Sequence, residues 1–427
     1  MVLVPVLPER NRAKAADLHA PDDRLGETVG LAQAIDLDVR DAQVVSLATV
    51  RPGALFGSGK IEEIETSVAV HEIGIVIVDH ALTPIQQRNL EVAWKTKVLD
   101  RTGLILEIFG RRAQTREGRL QVELAHLTYQ RGRLVRSWTH LERQRGGFGF
   151  LGGPGESQIE TDRRIINDRI DKIKRELETV VRTRSLHRAG RRKVPYPVVA
   201  LVGYTNAGKS TLFNALTGAG VHAEDQVFAT LDPTMREIRL SSGRRIILSD
   251  TVGFISNLPT TLVAAFRATL EEVINADLVL HVRDIAHEET EAQKADVTAV
   301  LEELGIDPHA PDFAMIEVLN KVDALDRDDL ERLAYAAERA DTATVLVSAI
   351  EGDGIQTLLS SIDEALGAGD IEMDLTVRPE DGRLTHWIYE NADVLSSEAD
   401  TFGNVHYRLR VSGEKRGQLE ARLASGD

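Results

Sequence analysis

The sequence predicts an α/β protein of several domains, and three observations support this fold class. Short apolar, β-branched runs alternate with helical spacings over residues 1–104 and again over residues 195–370, an order typical of parallel sheets covered by helices. Residues 105–194 carry apolar side chains at three- and four-residue intervals over a longer stretch, which predicts a helical hairpin. With 427 residues, of which 42% are hydrophobic, the chain can form about three or four cores.

Composition narrows the chemistry that this chain can perform. It contains no cysteine, which excludes disulfides, thiolate metal sites and thiol nucleophiles. The apolar start Met1–Pro8 is short, lacks a basic beginning and runs into charged residues, so it does not resemble a signal peptide. No apolar run approaches the length needed to cross a bilayer. We therefore expect a cytoplasmic protein, and we expect a monomer.

The first domain, residues 1–104, is expected to be a small parallel-sheet α/β unit. Its first forty residues are mostly polar and charged, and they predict little more than one short helix. The other predicted elements are strands at Ala42–Ala48, Ile73–Val78 and Lys97–Leu99 and helices at Lys60–His71 and Ile85–Lys95.

A turn in this domain, Gly57–Lys60, partly matches a phosphate-binding loop. The first glycine of the full pattern would fall on Ala54, and Ile61 replaces the Ser or Thr that would hold a metal. Two interpretations remain open: a glycine turn that caps a helix, which we favour, or a contact with nucleotide or RNA.

The second domain, residues 105–194, is predicted to be a basic helical hairpin followed by a linker at Arg188–Lys193. The net charge of the chain is −16, yet residues 101–193 contain 22 Lys/Arg and 11 Asp/Glu. The glycine-rich segment Gly146–Gly155 contains two phenylalanines and is predicted to interrupt the helices. Arginines beside exposed rings suit phosphates and unstacked RNA bases. The alternative is a flexible linker whose rings pack on a neighbouring domain.

The third domain is organised around Gly203–Thr211. This segment follows the apolar run Val198–Val202 and precedes Leu212–Leu216, which gives the strand, glycine turn and helix of a phosphate-binding P-loop. Its N–H groups and the helix N-terminus would bind phosphate oxygens. Lys209 would reach the β- and γ-phosphates, and Ser210 would bind Mg²⁺. The other nucleotide-binding candidates in this loop are Gly203, Asn206, Ala207, Gly208 and Thr211.

Two further segments are expected to respond to the third phosphate. Asp250–Gly253 follows a predicted strand, so Asp250 can hold the Mg²⁺ shell through water, and the Gly253 N–H can touch the γ-phosphate. Phe228–Thr234 lies where a mobile segment is expected, and Thr230 is the candidate for the second hydroxyl on Mg²⁺. The catalytic candidates are therefore Lys209, Thr230 and Gly253, with Phe228 as a further nucleotide-binding candidate.

Base recognition is predicted from Asn320–Asp323, directly after an apolar strand. An aspartate carboxylate accepts two hydrogen bonds from guanine, whereas adenine offers no such pair of donors. Asp323 therefore predicts GTP, while Lys321 would lie along the ring and Asn320 would tie this segment to the P-loop. A main-chain N–H for the guanine oxygen is expected from the segment Ser348, Ala349 and Ile350.

Phe254 follows Gly253 at the place where many signalling GTPases carry a glutamine that orients the attacking water. An apolar ring cannot polarise water, so we expect slow intrinsic hydrolysis that depends on a partner. In glutamine-containing small GTPases, a partner accelerates hydrolysis on the order of 10⁵-fold.

The remaining elements complete the α/β pattern. The predicted strands of the third domain are Val198–Val202, Met235–Leu240, Arg245–Asp250, Leu278–Val282, Phe313–Leu319 and Ala343–Val347. The fourth domain, residues 371–427, predicts a small acidic α/β unit with no catalytic constellation. Its predicted elements are strand Ile371–Val377, helix Leu384–Glu390, strands Asp393–Ser397 and Asn404–Val411, and helix Gln418–Leu423.

Taken in order, these motifs resemble the HflX family, within the Obg–HflX superfamily of translation-factor-type P-loop GTPases. The tail after about residue 371 also resembles the small C-terminal domain of that family, though less distinctively. The stretches that carry the resemblance are Asp79–Glu91, Asp100–Thr102, Leu120–Ala125, Gly146–Arg164, Gly203–Thr211, Phe228–Thr234, Asp250–Phe254 and Asn320–Asp323.

The resemblance implies a P-loop GTPase domain with an N-terminal α/β domain, a long helical hairpin and a small C-terminal α/β domain. It also implies binding to the large ribosomal subunit and its RNA, stimulation of hydrolysis there, and splitting or rescue of stalled ribosomes under stress. The alternative is an RNA-remodelling ATPase or GTPase that acts through the N-terminal domain.

Overall fold

The structure of the chain is a computed structural model, and within the residues that it describes the chain forms three β-sheets of four, six and three strands. Two long helices follow the first sheet in the sequence. The predicted α/β fold class is therefore confirmed. The described residues are 1–8, 19–144, 154–191, 196–218, 228, 234–256, 267–308, 310, 313–367 and 370–425.

The first sheet belongs to the N-terminal domain, and its neighbouring strands are all parallel. Its strands are β1 Val2–Val6, β2 Ala42–Ser46, β3 Ile75–Val78 and β4 Lys97–Asp100. Their order across the sheet is β2-β1-β3-β4. The three strands that the sequence predicts are confirmed, and β1 is an additional one.

The central strand β1 is not predicted because Met1–Pro8 is short and contains proline. Val2, Leu3 and Val4 are fully buried, as expected for a strand with a neighbour on each side. The ladder between β1 and β3 includes only Val2 and Leu3, so Pro5 lies beyond it and pairs with β2 alone. A proline is tolerated there because the ladder to β3 needs no N–H from it.

The helices of this domain are α1 Pro21–Gln33, α2 Ser58–Val70, α3 Pro84–Trp94 and α4 Arg101–Arg112. Gly57 is the N-cap of α2, as the capping interpretation of that glycine turn expects, and a contact with nucleotide or RNA stays a prediction. Thr83 caps α3 through reciprocal hydrogen bonds with Gln86. Helix α4 continues across residue 104, where the sequence predicts a boundary between domains.

The hairpin consists of α5 Arg116–Gln144 and α6 Pro154–Arg191. The two helices contact each other, and Arg169 donates to both carboxylate oxygens of Glu123, at 2.7 and 3.0 Å. The predicted pair of long helices is therefore confirmed.

Two details of the hairpin prediction are wrong. Pro154 and Gly155, placed in the interruption, are the first residues of α6, because a proline fits the first helical position, where its N–H would be unpaired anyway. Residues 188–191, predicted as linker, continue α6. The rest of the glycine-rich segment and the end of the linker lie outside the described residues.

The second sheet belongs to the nucleotide-binding domain, and its six predicted strands are confirmed with ends that differ by at most two residues. The strands are β5 Val198–Val202, β6 Thr234–Arg239, β7 Arg245–Asp250, β8 Leu278–Asp284, β9 Met315–Asn320 and β10 Thr344–Val347. Their order is β10-β9-β8-β5-β7-β6, and only the β6–β7 pair is antiparallel. The accompanying described helices are α7 Lys209–Thr217, α8 Arg267–Ile274, α9 Thr290–Glu303, α10 Arg327–Ala337 and α11 Ile355–Gly367.

The C-terminal domain is a three-stranded antiparallel sheet with two helices, as predicted. Its core contains Trp387, Ile388, Leu409 and Leu419. The elements are β11 Asp370–Val377, α12 Gly382–Asn391, β12 Asp393–Ala399, β13 Val405–Ser412 and α13 Gly413–Ser425, with strand order β11-β13-β12.

The N-terminal and nucleotide-binding domains share one hydrophobic core. Leu104 and Ile108 of α4 belong to the same buried cluster as Val252 and Ile255, which follow β7. Each such fully buried side chain stabilises the fold by about 1.5–3 kcal/mol. The two domains are therefore packed together beside the end of β7. Among the described helices, none combines the length and the apolar character needed to cross a membrane.

Candidate nucleotide-binding site

The phosphate loop is the turn between β5 and α7, and its backbone requires glycine at two positions. Gly203 has φ +153°, and a Cβ there would lie 2.1 Å from the Val282 carbonyl oxygen. Gly208 has φ +89°, and a Cβ there would lie 2.2 Å from Asn320 Nδ2. Asn206 adopts φ +61°, which asparagine tolerates better than most residues. Such turns are typical of anion-binding concavities at helix N-termini.

Lys209 is the first residue of α7, and its side chain folds over the loop. Its Nζ donates to the carbonyl oxygens of Gly203 at 3.0 Å and Tyr204 at 2.7 Å. Burial lowers the pKa of Lys209 to about 8, although the negative charge of Asp250 acts in the opposite direction. The loop therefore holds one buried ammonium group in a fixed position.

Ser210 and Asp250, two of the three metal-binding candidates, lie side by side. The Ser210 Oγ donates to Asp250 Oδ2 at 2.8 Å, and Asp250 is fully buried. Because β7 runs parallel to β5, its carboxyl end brings Asp250 to the loop that follows β5. Hydroxyl and carboxylate oxygens are ligands that Mg²⁺ prefers, so this pair fits a magnesium site. The third candidate, Thr230, lies outside the described residues.

Gly253 lies against the phosphate loop, where a Cβ on it would be 3.0 Å from Lys209 Nζ. The next residue, Phe254, pairs with the loop through its main chain. Its N–H donates to the Gly203 carbonyl at 3.1 Å, and its carbonyl accepts from the Thr205 N–H at 2.7 Å. The Phe254 ring is 1% exposed and lies in the core shared by the two domains, so it does not face the loop.

Asn320 connects the predicted base-binding segments to the phosphate loop. Its Nδ2 donates to the Ala207 carbonyl at 2.8 Å, and its Oδ1 accepts from the Ala349 N–H at 3.1 Å. Lys321 has φ +68°, and its Nζ donates to Asp284 Oδ2 at 2.6 Å. The structure therefore brings three loops together through one buried amide.

The other predicted base-binding residues lie on the neighbouring loops. Asp323 is exposed on a short 3₁₀ turn. Ser348 is fully buried and accepts from the Glu351 N–H at 3.1 Å. Ile350 is 76% exposed. An exposed carboxylate and an open loop beside Asn320 leave this edge accessible to a purine ring.

Phe228 differs from the other nucleotide-binding candidates in its surroundings. It is 2% exposed, and its ring contacts the ring of Phe109 on α4, with centroids 4.7 Å apart. The ring thus packs on the N-terminal domain, and a role in nucleotide binding stays a prediction. Thr211 lies in the first turn of α7.

Four residues beside the loop were not singled out for the site by the sequence analysis. Tyr204 donates from its hydroxyl to Glu27 of α1, and Ser256 bonds both Glu27 and Arg101. These partners are separated by up to 229 residues in the sequence. Arg101 and Tyr204 lie in stretches that resemble family motifs, Asp100–Thr102 and Gly203–Thr211, whereas Glu27 and Ser256 belong to neither.

Matches to four protein-family models together cover most of the chain. Residues 22–110 match the family model described as GTP-binding GTPase N-terminal, and residues 112–191 match GTP-binding GTPase Middle Region. Residues 198–321 match 50S ribosome-binding GTPase, and residues 333–427 match HflX C-terminal domain.

Individual relatives give the same result. GTPase HflX of Magnetococcus marinus is 51% identical over 400 residues, which cover 93% of this chain and 90% of the relative. GTPase HflX of Escherichia coli is 46% identical over 360 residues, 84% of this chain and 83% of the relative. The protein in the crystal structure of the SsGBP–GDP complex is 24% identical in sequence to this chain. The two structures align with a TM-score of 0.48 over 85% of this chain and 97% of that one. On the identity and coverage of the two relatives, this chain belongs to the HflX family of GTPases.

Proposed function

We propose that this GTPase is a switch that binds the large ribosomal subunit and splits or rescues stalled ribosomes under stress. The observation that carries the proposal is the match of residues 198–321 to a family described as 50S ribosome-binding GTPase. A basic hairpin in an acidic chain, with 22 Lys/Arg against 11 Asp/Glu over residues 101–193, supports an RNA partner because phosphates attract such a surface.

In this proposal, the nucleotide lies across the loops that Asn320 joins. Lys209 and the loop N–H groups bind the phosphates, and Asp323 accepts hydrogen bonds from guanine. Ser210 and Asp250 would hold Mg²⁺, together with Thr230, and the ion would neutralise charge on the phosphate oxygens. The γ-phosphate would order the segment around Thr230 and so define the ribosome-binding form.

The buried ring of Phe254 supports slow intrinsic hydrolysis. A side chain that lies in the core and carries no polar atom cannot orient a water molecule for attack on the γ-phosphate. The group that orients this water would then come from the ribosome or be ordered by it. We therefore propose that the large subunit is the activator.

The hydrogen bonds that attach the α5–α6 hairpin to the N-terminal domain support the proposal that the hairpin acts as a rigid arm. Arg133 of α5 donates to Asp100 at the end of β4 and to Gln87 of α3. Tyr129, also on α5, donates to Asp100 at 2.6 Å. These partly buried bonds would transmit contact between the hairpin and ribosomal RNA to the N-terminal domain.

The test is GTP turnover by the full chain with and without purified large ribosomal subunits, with small subunits as the control. We expect large subunits alone to stimulate turnover about a hundredfold or more, within the range known for activating partners. Unchanged turnover with large subunits would overturn the ribosomal activator.

A variant tests the role of the arm. Replacing Gly146–Gly155 by a Gly/Ser linker of equal length should weaken cosedimentation with large subunits and leave GTP affinity intact. Normal cosedimentation would favour the linker interpretation of this segment. Since the proposed partner is the ribosome, we also propose a cytoplasmic location.

A further inference from the structure

A balanced group of buried and partly buried charges lies where α1 and α4 meet the nucleotide-binding domain. Arg101 donates to Asp79 at 2.5 Å and to Glu27 Oε2 at 2.7 Å. Arg24 donates to the other oxygen of Asp79 at 2.6 Å. Two arginines thus face two carboxylates, as buried charges require.

This group reaches two loops of the nucleotide-binding domain. Arg101 Nη2 donates to the Ser256 carbonyl at 2.7 Å and to its Oγ at 2.9 Å. The Ser256 Oγ donates to Glu27 Oε2 at 2.8 Å, and the Ser256 N–H donates to the Tyr204 hydroxyl at 2.7 Å. Tyr204 in turn donates to Glu27. We refer to Glu27, Arg101, Tyr204 and Ser256 as the interdomain cluster.

The interdomain cluster fixes one end of the segment that contains Gly253. The other end is fixed by Asp250, which lies in the sheet and accepts from Ser210. Between the two ends, Phe254 is paired with the phosphate loop through its main chain. With Ser256 held by the N-terminal domain, Gly253 has a defined position beside Lys209. Without the bonds to Ser256, the segment beyond Asp250 would be held only by the main-chain pairing of Phe254, and Gly253 would sample more positions.

We propose that Glu27 and Arg101 are positioning residues for GTP, which hold Ser256 and through it place Gly253 next to the third phosphate. Docking of the N-terminal domain then favours GTP over GDP, because GDP lacks the phosphate that Gly253 is predicted to contact. By linkage, bound GTP strengthens docking by the same factor. The inference rests on GTP binding and on the predicted contact of Gly253, and it does not depend on the ribosome.

The test compares the affinities of the full-length protein for a non-hydrolysable GTP analogue and for GDP, measured by titration. Glu27→Gln keeps the shape of the side chain but removes the negative charge that accepts hydrogen bonds from Arg101 and Ser256. We expect about tenfold weaker binding of the analogue and a change of less than about twofold for GDP, within the usual range of coupling between sites. Ser256→Ala should also weaken binding of the analogue. In the double variant, the loss of binding free energy should be smaller than the sum of the two single losses.

Arg24→Met is the matched control, because within the described part of the chain the hydrogen bonds of the Arg24 side chain all go to Asp79, which belongs to the same group of charges. It should leave the preference for the analogue over GDP unchanged. If Arg24→Met weakens the analogue as much as Glu27→Gln does, the effect comes from a loosened N-terminal domain and the proposal is overturned. Equal weakening of both nucleotides by Glu27→Gln, or no change in either, would also overturn it.

A second measurement tests the reciprocal effect without any substitution. Amide hydrogen exchange in α1 and α4 should be slower with the GTP analogue than with GDP, because GTP strengthens docking. Equal exchange with the two nucleotides, both at saturation, would contradict the coupling. Failure of the wild-type protein to bind either nucleotide would instead contradict the GTP-binding assignment itself.

Discussion

Two turns in this chain place glycines before a lysine at the start of a helix, one in each parallel-sheet domain. Gly203–Lys209 ends at the first residue of α7, whereas Gly57–Lys60 begins at the N-cap of α2 and continues into its first turn. The N-cap of α7, Gly208, has φ +89°, whereas the N-cap of α2, Gly57, has φ −73°. The first conformation favours glycine strongly, and the second is accessible to any residue.

The two lysines also differ in their partners. Lys209 is buried and donates to main-chain carbonyls. Lys60 donates to the side chains of Gln43 at 2.9 Å and Glu63 at 2.6 Å. A carboxylate beside Lys60 already balances its charge, so it attracts a phosphate less than Lys209 does. Backbone conformation and charge environment, more than the sequence letters, therefore distinguish a phosphate loop from a capping turn.

The largest expected effect comes from removing Lys209, with removal of Lys60 as the comparison. Lys209→Ala should lower GTP affinity and turnover by about 10²–10⁴-fold, since losing one partner of a buried charged interaction costs about 3–5 kcal/mol. Lys60→Ala, the matched control, should change both by less than about twofold. Steady-state turnover and nucleotide titration measure the two quantities. ATP turnover that survives Lys209→Ala and disappears in Lys60→Ala would instead favour the RNA-remodelling alternative in the N-terminal domain.

Substitution of Asp323, the residue predicted to recognise guanine, tests whether the nucleotide lies in the nucleotide-binding domain. Asp323→Asn should weaken GTP about a hundredfold and improve binding of xanthosine triphosphate, because the amide donates where the carboxylate accepted, and each charged hydrogen bond contributes about 1.5–3 kcal/mol. Competition titration with both nucleotides measures the shift. Unchanged GTP affinity would refute the assignment of Asp323, and Asp326→Asn, in the cap of α10, serves as a control for charge.

Backbone conformation can be tested with two alanine substitutions. Gly208→Ala should weaken GTP and lower the midpoint of thermal unfolding, because the left-handed conformation costs about 1–2 kcal/mol and the new Cβ would meet Asn320. A Cβ at Gly59 would meet nothing within 4 Å. Gly59→Ala should therefore stabilise α2 by about 0.5–1 kcal/mol and raise the midpoint of thermal unfolding slightly. Equal shifts in the two variants would show that the turns do not differ as described.

Much of the fold follows from local patterns in the sequence. The six strands of the nucleotide-binding domain lie within two residues of the ranges that the sequence predicts, and α3 begins at Pro84, one residue before its predicted start. The strand β1 escapes prediction because its proline argues against a central strand. The proline is tolerated because the ladder between β1 and β3 ends at Leu3, and no local pattern in the sequence encodes that length.

The candidate site likewise contains one part that the local sequence predicts and one part that it does not. The phosphate loop and the bond from Asn320 to it follow from motif order, because each motif is local and has one structural setting. The interdomain cluster does not, since Glu27 and Ser256 are 229 residues apart and neither belongs to a periodic pattern. Contacts between domains depend on docking geometry, which no local preference encodes.

The smallest expected effect concerns pH and separates the two lysines once more. Burial lowers the pKa of Lys209 from 10.5 to about 8, and phosphate binding requires the ammonium form. GTP affinity should therefore fall about tenfold between pH 7 and pH 9, as one proton is lost per site. Lys60→Ala should show the same profile, which titration at each pH would reveal. A flat profile in the wild-type protein would refute the titration of Lys209 in this range.

The stability of the nucleotide-free protein should change with pH in the opposite direction. Between about pH 8 and 10.5 the unfolded chain binds more protons at Lys209 than the folded chain does. Its contribution to the free energy of unfolding therefore rises with pH through this window and is lost as pH falls below the folded pKa. Thermal unfolding of the wild-type protein and of Lys209→Met, which keeps the volume of the side chain, isolates this contribution. The wild-type protein should gain stability relative to the variant as pH rises, and a constant difference would show that the folded pKa is not lowered.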